Sequence, residues 1–169
     1  MNRSGRLLFL LLLGFSLVAM PLDTKAAGPR AYEKPEDVVA WLYRDFIFTA
    51  TMSSYWKGAS LADQPKETLL LYFTEELASL FVKDRQCAEK TNGICNLDFS
   101  PIFDSQDPAV MDLEIAPADK SNTVPIQFTN PGYGKKVRIS YEVAKTSRGW
   151  RIKDIIYIDG HSLKKILSQ

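Results

Sequence analysis

The 169-residue sequence holds one histidine and two cysteines. A zinc centre built from His and Cys takes three or four such ligands, so this stock argues against one. His161 is the only side chain whose ordinary pKa lies near neutrality, and it sits after Asp159-Gly160 in what reads as an exposed loop. Also missing are a Gly-x-Ser-x-Gly elbow, a His-Glu-x-x-His pair, a phosphate-cradling glycine loop and a dinucleotide fingerprint. Together these absences turn the reading away from catalysis and imply no cofactor or metal. No internal repeat, linker or low-complexity segment occurs. The composition is that of a globular chain, 46% apolar and 24% charged, with a formal net charge of +1.

The longest apolar run is Leu7 to Met20. Arg3 and Arg6 precede it, and Thr24-Lys25-Ala26 offers small residues for cleavage before Ala27. Residues 1–26 are therefore read as an export signal, with an uncleaved anchor as the alternative. The run is short for a permanent span of a ~30 Å hydrocarbon layer. With no cysteine near the cleavage point, a lipid-modified mature terminus is disfavoured. The expected location is periplasmic or secreted, with no stable membrane span after cleavage.

Removing residues 1–26 takes three basic and one acidic residue from 21 and 20, leaving 18 and 19. The near-neutral total hides an asymmetry. Residues 27–132 carry 9 basic and 16 acidic side chains, whereas residues 133–169 carry 9 and 3. In an oxidising compartment Cys87 and Cys95, eight positions apart in a polar stretch, are expected to form a structural disulfide.

Residues 27–34 read as a polar leader, followed by a single domain over 35–169. Pro35-Glu36-Asp37 starts a helix, and Val38, Val39, Leu42, Tyr43, Phe46 and Ile47 form one apolar stripe. Pro65-Lys66-Glu67 and Thr74-Glu75-Glu76 mark a second helical region, as one bent helix or two short ones, ending near Asp84-Arg85. Asp98 to Pro108 reads as a loop. The period then changes from helical to alternating. Strands are expected at Val110 to Ile115, around Val124 to Phe128, through Val137 to Val143 and from Trp150 to Ile158. Ser162 caps a final short helix over 163–167. The fold class is α+β: amino-terminal helices packed on a curved antiparallel sheet of three to four strands, with a short carboxy-terminal helix.

Several stretches carry a resemblance: Val39 to Phe46, Leu71-Tyr72-Phe73-Thr74-Glu75-Glu76-Leu77, Asp98-Phe99-Ser100-Pro101-Ile102-Phe103-Asp104-Ser105-Gln106-Asp107, and Trp150 to Ile155 through Tyr157, Asp159-Gly160 and Ser162-Leu163. Over about residues 36–167 the chain resembles a family of small exported bacterial domains of unknown function. That family is assigned to the cone-shaped α+β fold of nuclear transport factor 2-like and cystatin-like proteins. The resemblance implies a fold and an envelope location, but no reaction.

Three constellations remain as candidates. Asp98, Asp104 and Asp107 form an oxygen-rich loop, but the alternation and glycine of a calcium-binding hand are missing, so turn structure is expected. Asp112, Glu114 and Asp154 lie on strands. Strict alternation from Trp150 and Ile152 places Asp154 inward, whereas a bulge there turns Ile155 inward instead. Pairing or solvation of Asp154 is the favoured outcome. Lastly, Lys136, Arg138, Arg151 and Lys153 alternate against Val137, Ile139, Trp150 and Ile152. If the two strands pair, the four cations form a patch on the exposed sheet face. The expected function is a non-catalytic exported module binding an envelope protein or an anionic envelope component. Nucleic acid is disfavoured by compartment and by the lack of aromatic recognition motifs. The alternatives are a small-ligand binder, with Tyr43, Tyr55, Trp56 and Tyr141 lining a pocket, or an enzyme using Asp154 or Asp112.

Overall fold

The computed structural model describes residues 31–51 and 60–169; the expected signal at 1–26, together with Tyr55 and Trp56, lies outside the described residues. Helices precede a four-stranded antiparallel sheet, and a short helix closes the chain, giving the expected α+β class.

Pro35 occupies the first position of α1 (Pro35–Phe46), where a missing N–H costs nothing, and the Lys34 N–H donates to Asp37 at 3.0 Å. Val38, Val39, Leu42, Tyr43 and Phe46 point into the core. A single further turn, α2 (Phe48–Thr51), follows. The second helical region is two helices, α3 (Lys66–Leu69) and α4 (Glu75–Thr91). Thr74 caps α4 by accepting the Leu77 N–H, which fixes the break between them.

The α4 helix runs past the expected end at Arg85 and stops at Asn92, whose left-handed backbone (φ 50°) returns its N–H to the Ala88 carbonyl. Residues 86–91 are polar yet hold helical form, because nothing in them breaks the ladder before that cap. Cys87 thus sits on the helix and Cys95 comes back to it, and the two are disulfide-bonded with their Cα atoms 6.0 Å apart. Asp84 fastens the same return by accepting the Asn96 N–H at 2.8 Å.

The sheet is a meander, β1 (Met111–Ile115), β2 (Thr123–Asn130), β3 (Lys135–Thr146) and β4 (Gly149–Tyr157), with neighbours in chain order. Its inner face carries Val124, Ile126, Phe128, Ile139, Tyr141, Val143, Ile152, Ile155 and Tyr157, all buried. The α1 helix lies across this face and touches every strand. Burying each large apolar side chain stabilises the fold by roughly 1.5–3 kcal/mol.

Proline inside a central strand would normally break its ladder. The Pro125 carbonyl accepts the Ala116 N–H, so its nitrogen faces the side on which β1 has already ended. The outer edge of β4 is covered. Ile152 N–H donates to Tyr72 O at 2.8 Å, Thr74 N–H donates to Ile152 O at 2.9 Å, and Ser162 bridges Ile156.

Tyr32 and Glu33 of the expected leader are part of this cover. Tyr32 is buried, its carbonyl accepts the Trp150 N–H, and the Glu33 carbonyl accepts the Trp150 indole N–H at 2.9 Å. Gly149 permits the approach. Its φ is +90°, and a Cβ there would lie 3.0 Å from the Tyr32 nitrogen.

Candidate functional site

The space between α1 and the sheet is filled. The loop over residues 98–107 sends Ile102 and Phe103 into it, and both are fully buried. The Phe103 ring meets Tyr43 at 5.8 Å and Phe128 at 6.1 Å, each edge to face. The Tyr43 hydroxyl donates to the Ile102 carbonyl, and the Tyr141 hydroxyl lies 2.9 Å from that of Tyr43. One hydrogen of Tyr43 goes to the carbonyl, so Tyr141 donates to Tyr43. The Tyr157 hydroxyl holds the same loop by donating to Pro101 O at 3.1 Å, and Phe99 packs edge-on against Tyr157 at 5.4 Å. The Ile102 and Pro101 carbonyls of this loop thereby gain hydrogen-bond partners. Tyr43 and Tyr141 are core hydroxyls tied to each other and to the loop, rather than the walls of an open pocket.

Burial pushes the pKa values of all three tyrosines above their ordinary range. For Tyr43 the hydrogen bond from Tyr141 partly offsets it; for Tyr157 the nearby Asp104 adds to it.

Of the four cations expected on the open sheet face, Arg151 does not belong there. Alternation does send it opposite Ile152, but the sheet at that point is covered by Tyr32 and by the carbonyl that follows α3. Arg151 is 1% exposed. Its Nε donates to Leu70 O at 3.0 Å and its Nη1 to Trp150 O at 2.7 Å, with the guanidinium 5.3 Å from the Tyr32 ring centre. Burial lowers its pKa from the ordinary arginine value.

Lys153 is exposed at a bulge, where the pairing Val143↔Ile152 passes directly to Glu142↔Asp154. Its Nζ lies 3.0 Å from Glu142. Lys136 and Arg138 are exposed on one face of β3, opposite Thr129 and Gln127 of β2. Acids of β1 border them: Gln127 donates to Glu114, and Asp112 shares a shallow hollow with Lys136. The face therefore has mixed charge, with its cations gathered at the β3 start, Lys135-Lys136-Val137-Arg138.

The carboxylates do not assemble. Asp154 follows the bulge, so Ile155 turns inward and Asp154 stays half-buried at the edge. Its Oδ2 accepts the Ser162 hydroxyl at 2.6 Å and its Oδ1 the Lys164 N–H at 3.0 Å. It holds the start of α5 (Leu163–Leu167), which Ser162 caps through the Lys165 N–H. Asp112 and Glu114 lie on β1, at the opposite side of the sheet from β4. An acid–base pair of Asp112 and Asp154 is thus ruled out by topology.

In the aspartate loop, Asp98 accepts from Gln106 at 3.2 Å, while partial burial and Asp159 raise the Asp104 pKa. Among the described residues no group of three or more His, Cys, Asp or Glu is arranged to hold a metal ion. His161 is exposed, with Nδ1 3.0 Å from Asp159.

Several hollows lie on the surface of the described residues. One of about 910 Å³ opens between Asp63, Pro65 and the end of α4. Another, of about 250 Å³, lies at the end of the sheet beside Lys135, Lys136 and Val137. Tyr133 and Ile158 flank the second at 64% and 69% exposure, and sequence patterning singled out neither. Among the described residues no helix is long and apolar enough to cross a membrane.

No family model matches the chain, and no curated protein matches it. Among solved structures, a phospholipid-binding protein from Ralstonia solanacearum, determined in complex with a phospholipid, aligns at 14% identity. The alignment covers 79% of this chain and 68% of that one, with a TM-score of 0.33. A likeness this loose carries no argument about ligand or mechanism.

Proposed function

We propose that the chain is an exported, non-catalytic module, periplasmic or secreted, that binds an envelope protein or an anionic envelope component through its surface. The observation that carries this reading is the filled interior. With Ile102 and Phe103 packed between Tyr43, Tyr141 and Phe128, recognition falls to the outside of the domain. The exposed cations Lys136 and Arg138 lie within the basic stretch after residue 132. Lys153 and Asp154 lie in the same stretch but are occupied by Glu142 and by the α5 start. The disulfide between Cys87 and Cys95 fits an oxidising compartment. This reading takes the chain as one of the small exported cone-fold domains that its residues resemble.

The test is retention of purified protein on an isolated envelope fraction. Wild type is retained, less so as salt screens the cations, and the Lys136→Glu/Arg138→Glu variant is not. Equal retention of the two overturns the reading, provided the variant unfolds at the wild-type temperature. Arg151 is unsuited to this test, because reversing a buried, hydrogen-bonded charge is strongly destabilising in itself.

A further inference from the structure

The β3 strand is longer than the strand that covers it. Its partner β2 pairs with it from Glu142 down to Lys135, but the last β4 pair is Tyr157↔Ile139. Tyr157 turns its N–H and C=O outward, to His161 and Gly160, so this last pair is flanked by Arg138 and Ile158. Lys135 to Val137 have a neighbour on one side only, and Arg138 meets Ile158 where β4 ends. Among the described residues, no backbone hydrogen bond outside the sheet ladder reaches Lys135 to Val137. In a strand every second residue turns its N–H and C=O toward the same side, so an open stretch of this kind is a template for one more strand. The groove of about 250 Å³ lies against this stretch, with Ser105 on one wall and Tyr133 and Ile158 at its rim.

We propose that this notch binds an extended, acidic segment of a partner protein, added as a strand beside Lys135–Val137. The inference rests on the surface-binding reading above and names the partner's chemistry. Lys135 and Lys136 on the open edge are cations, and Arg138 borders it. Alternation puts Lys136 and Arg138 on the outer face, so the incoming strand carries Asp or Glu opposite Lys136, within diagonal reach of Arg138. Its next side chain turns toward Val137, between Tyr133 and Ile158, and is apolar. Asp104 borders the groove on that side, which disfavours an acid there.

The notch admits only about three residues, or roughly 10 Å of strand. A free segment of chain fits such a recess. The acidic β1 edge of a second copy would bring its whole sheet against the turn that follows β4.

The probe is acetyl-Glu-Val-Glu-Val-Glu-Val-amide, titrated into isotope-labelled protein and followed by amide chemical shifts. Saturable shifts are expected at Tyr133, Lys135 to Arg138 and Ile158. The Lys136→Glu/Arg138→Glu variant should weaken binding about tenfold through lost attraction and new repulsion. A peptide N-methylated at alternate amides should not bind, because it cannot complete the ladder. Absence of saturable shifts at these residues, or equal binding by the methylated peptide, overturns the proposal. So does self-association through this edge, or anionic vesicles moving these amides when the peptide does not. If the peptide fails while the charge reversal still abolishes envelope retention, the surface-binding reading stands and only the strand-addition inference falls.

Discussion

The hydroxyls of Tyr43 and Tyr141, ninety-eight positions apart in the chain, meet at 2.9 Å in the middle of the domain. One comes from α1 and the other from β3, and Tyr43 passes its own hydrogen to the Ile102 carbonyl of the inserted loop. Helix, sheet and loop are joined at one buried point.

Removing the Tyr43 hydroxyl leaves both the Ile102 carbonyl and the Tyr141 hydroxyl without that partner. Tyr43→Phe should cost about 1–3 kcal/mol in denaturant unfolding. Because the two hydroxyls form one network, the double variant Tyr43→Phe/Tyr141→Phe should cost less than the sum of the single ones. Strict additivity would show that the two groups do not interact.

The buried tyrosines also set an alkaline limit. Tyr43, Tyr141 and Tyr157 have folded-state pKa values raised by burial above the ordinary value of about 10. Their contribution to stability is complete below that value and is lost as pH climbs toward the folded-state values. Tyrosinate absorbance from these three rings should thus appear in a cooperative step coincident with loss of circular dichroism. Smooth titration of every tyrosine with the fold intact would contradict the buried network.

Asp154 is assigned to structure rather than chemistry. Asp154→Ala removes the acceptor for the Ser162 hydroxyl and the Lys164 N–H, at a cost of about 1–3 kcal/mol. Amide exchange should speed up across Leu163–Leu167 before it does in the sheet. Unchanged stability and exchange would refute the assignment.

The disulfide closes a loop with a sequence separation of 8. By the chain-entropy relation Cys87→Ser/Cys95→Ser should lose about 2–3 kcal/mol while keeping the fold. A variant as stable as wild type in denaturant would show that the helix cap at Asn92 already fixes this return.

Much of the architecture was legible locally. The stripe from Val38 to Phe46 and the alternation from Val137 to Val143 follow from the two periods of side-chain direction. The caps at Thr74 and Ser162 and the cysteine pair were equally readable. What patterning misses is cover. Alternation correctly turned Arg151 away from Ile152, yet it could not show that Tyr32 and the Leu70 carbonyl close over that spot. The same holds for the loop from Asp98 to Pro108, whose prolines and aspartates read as surface turn while Ile102 and Phe103 supply the plug. The bulge, which the structure puts at Lys153, was visible only as an alternative to strict alternation, since Ile156 follows in the strict register and Ile155 in the bulged one. The open edge at Lys135 depends on where β4 ends, a long-range fact that no local pattern contains.

The most direct test of surface recognition with a closed interior is an amide-resolved footprint of the labelled protein in a soluble envelope extract. The account predicts shifts centred on Lys135 to Arg138 and the neighbouring outer face, with the amides of Tyr43, Phe103 and Tyr141 unmoved. Shifts centred on Tyr43, Phe103 and Tyr141, with Lys135 to Arg138 silent, would place the ligand inside the domain and contradict it.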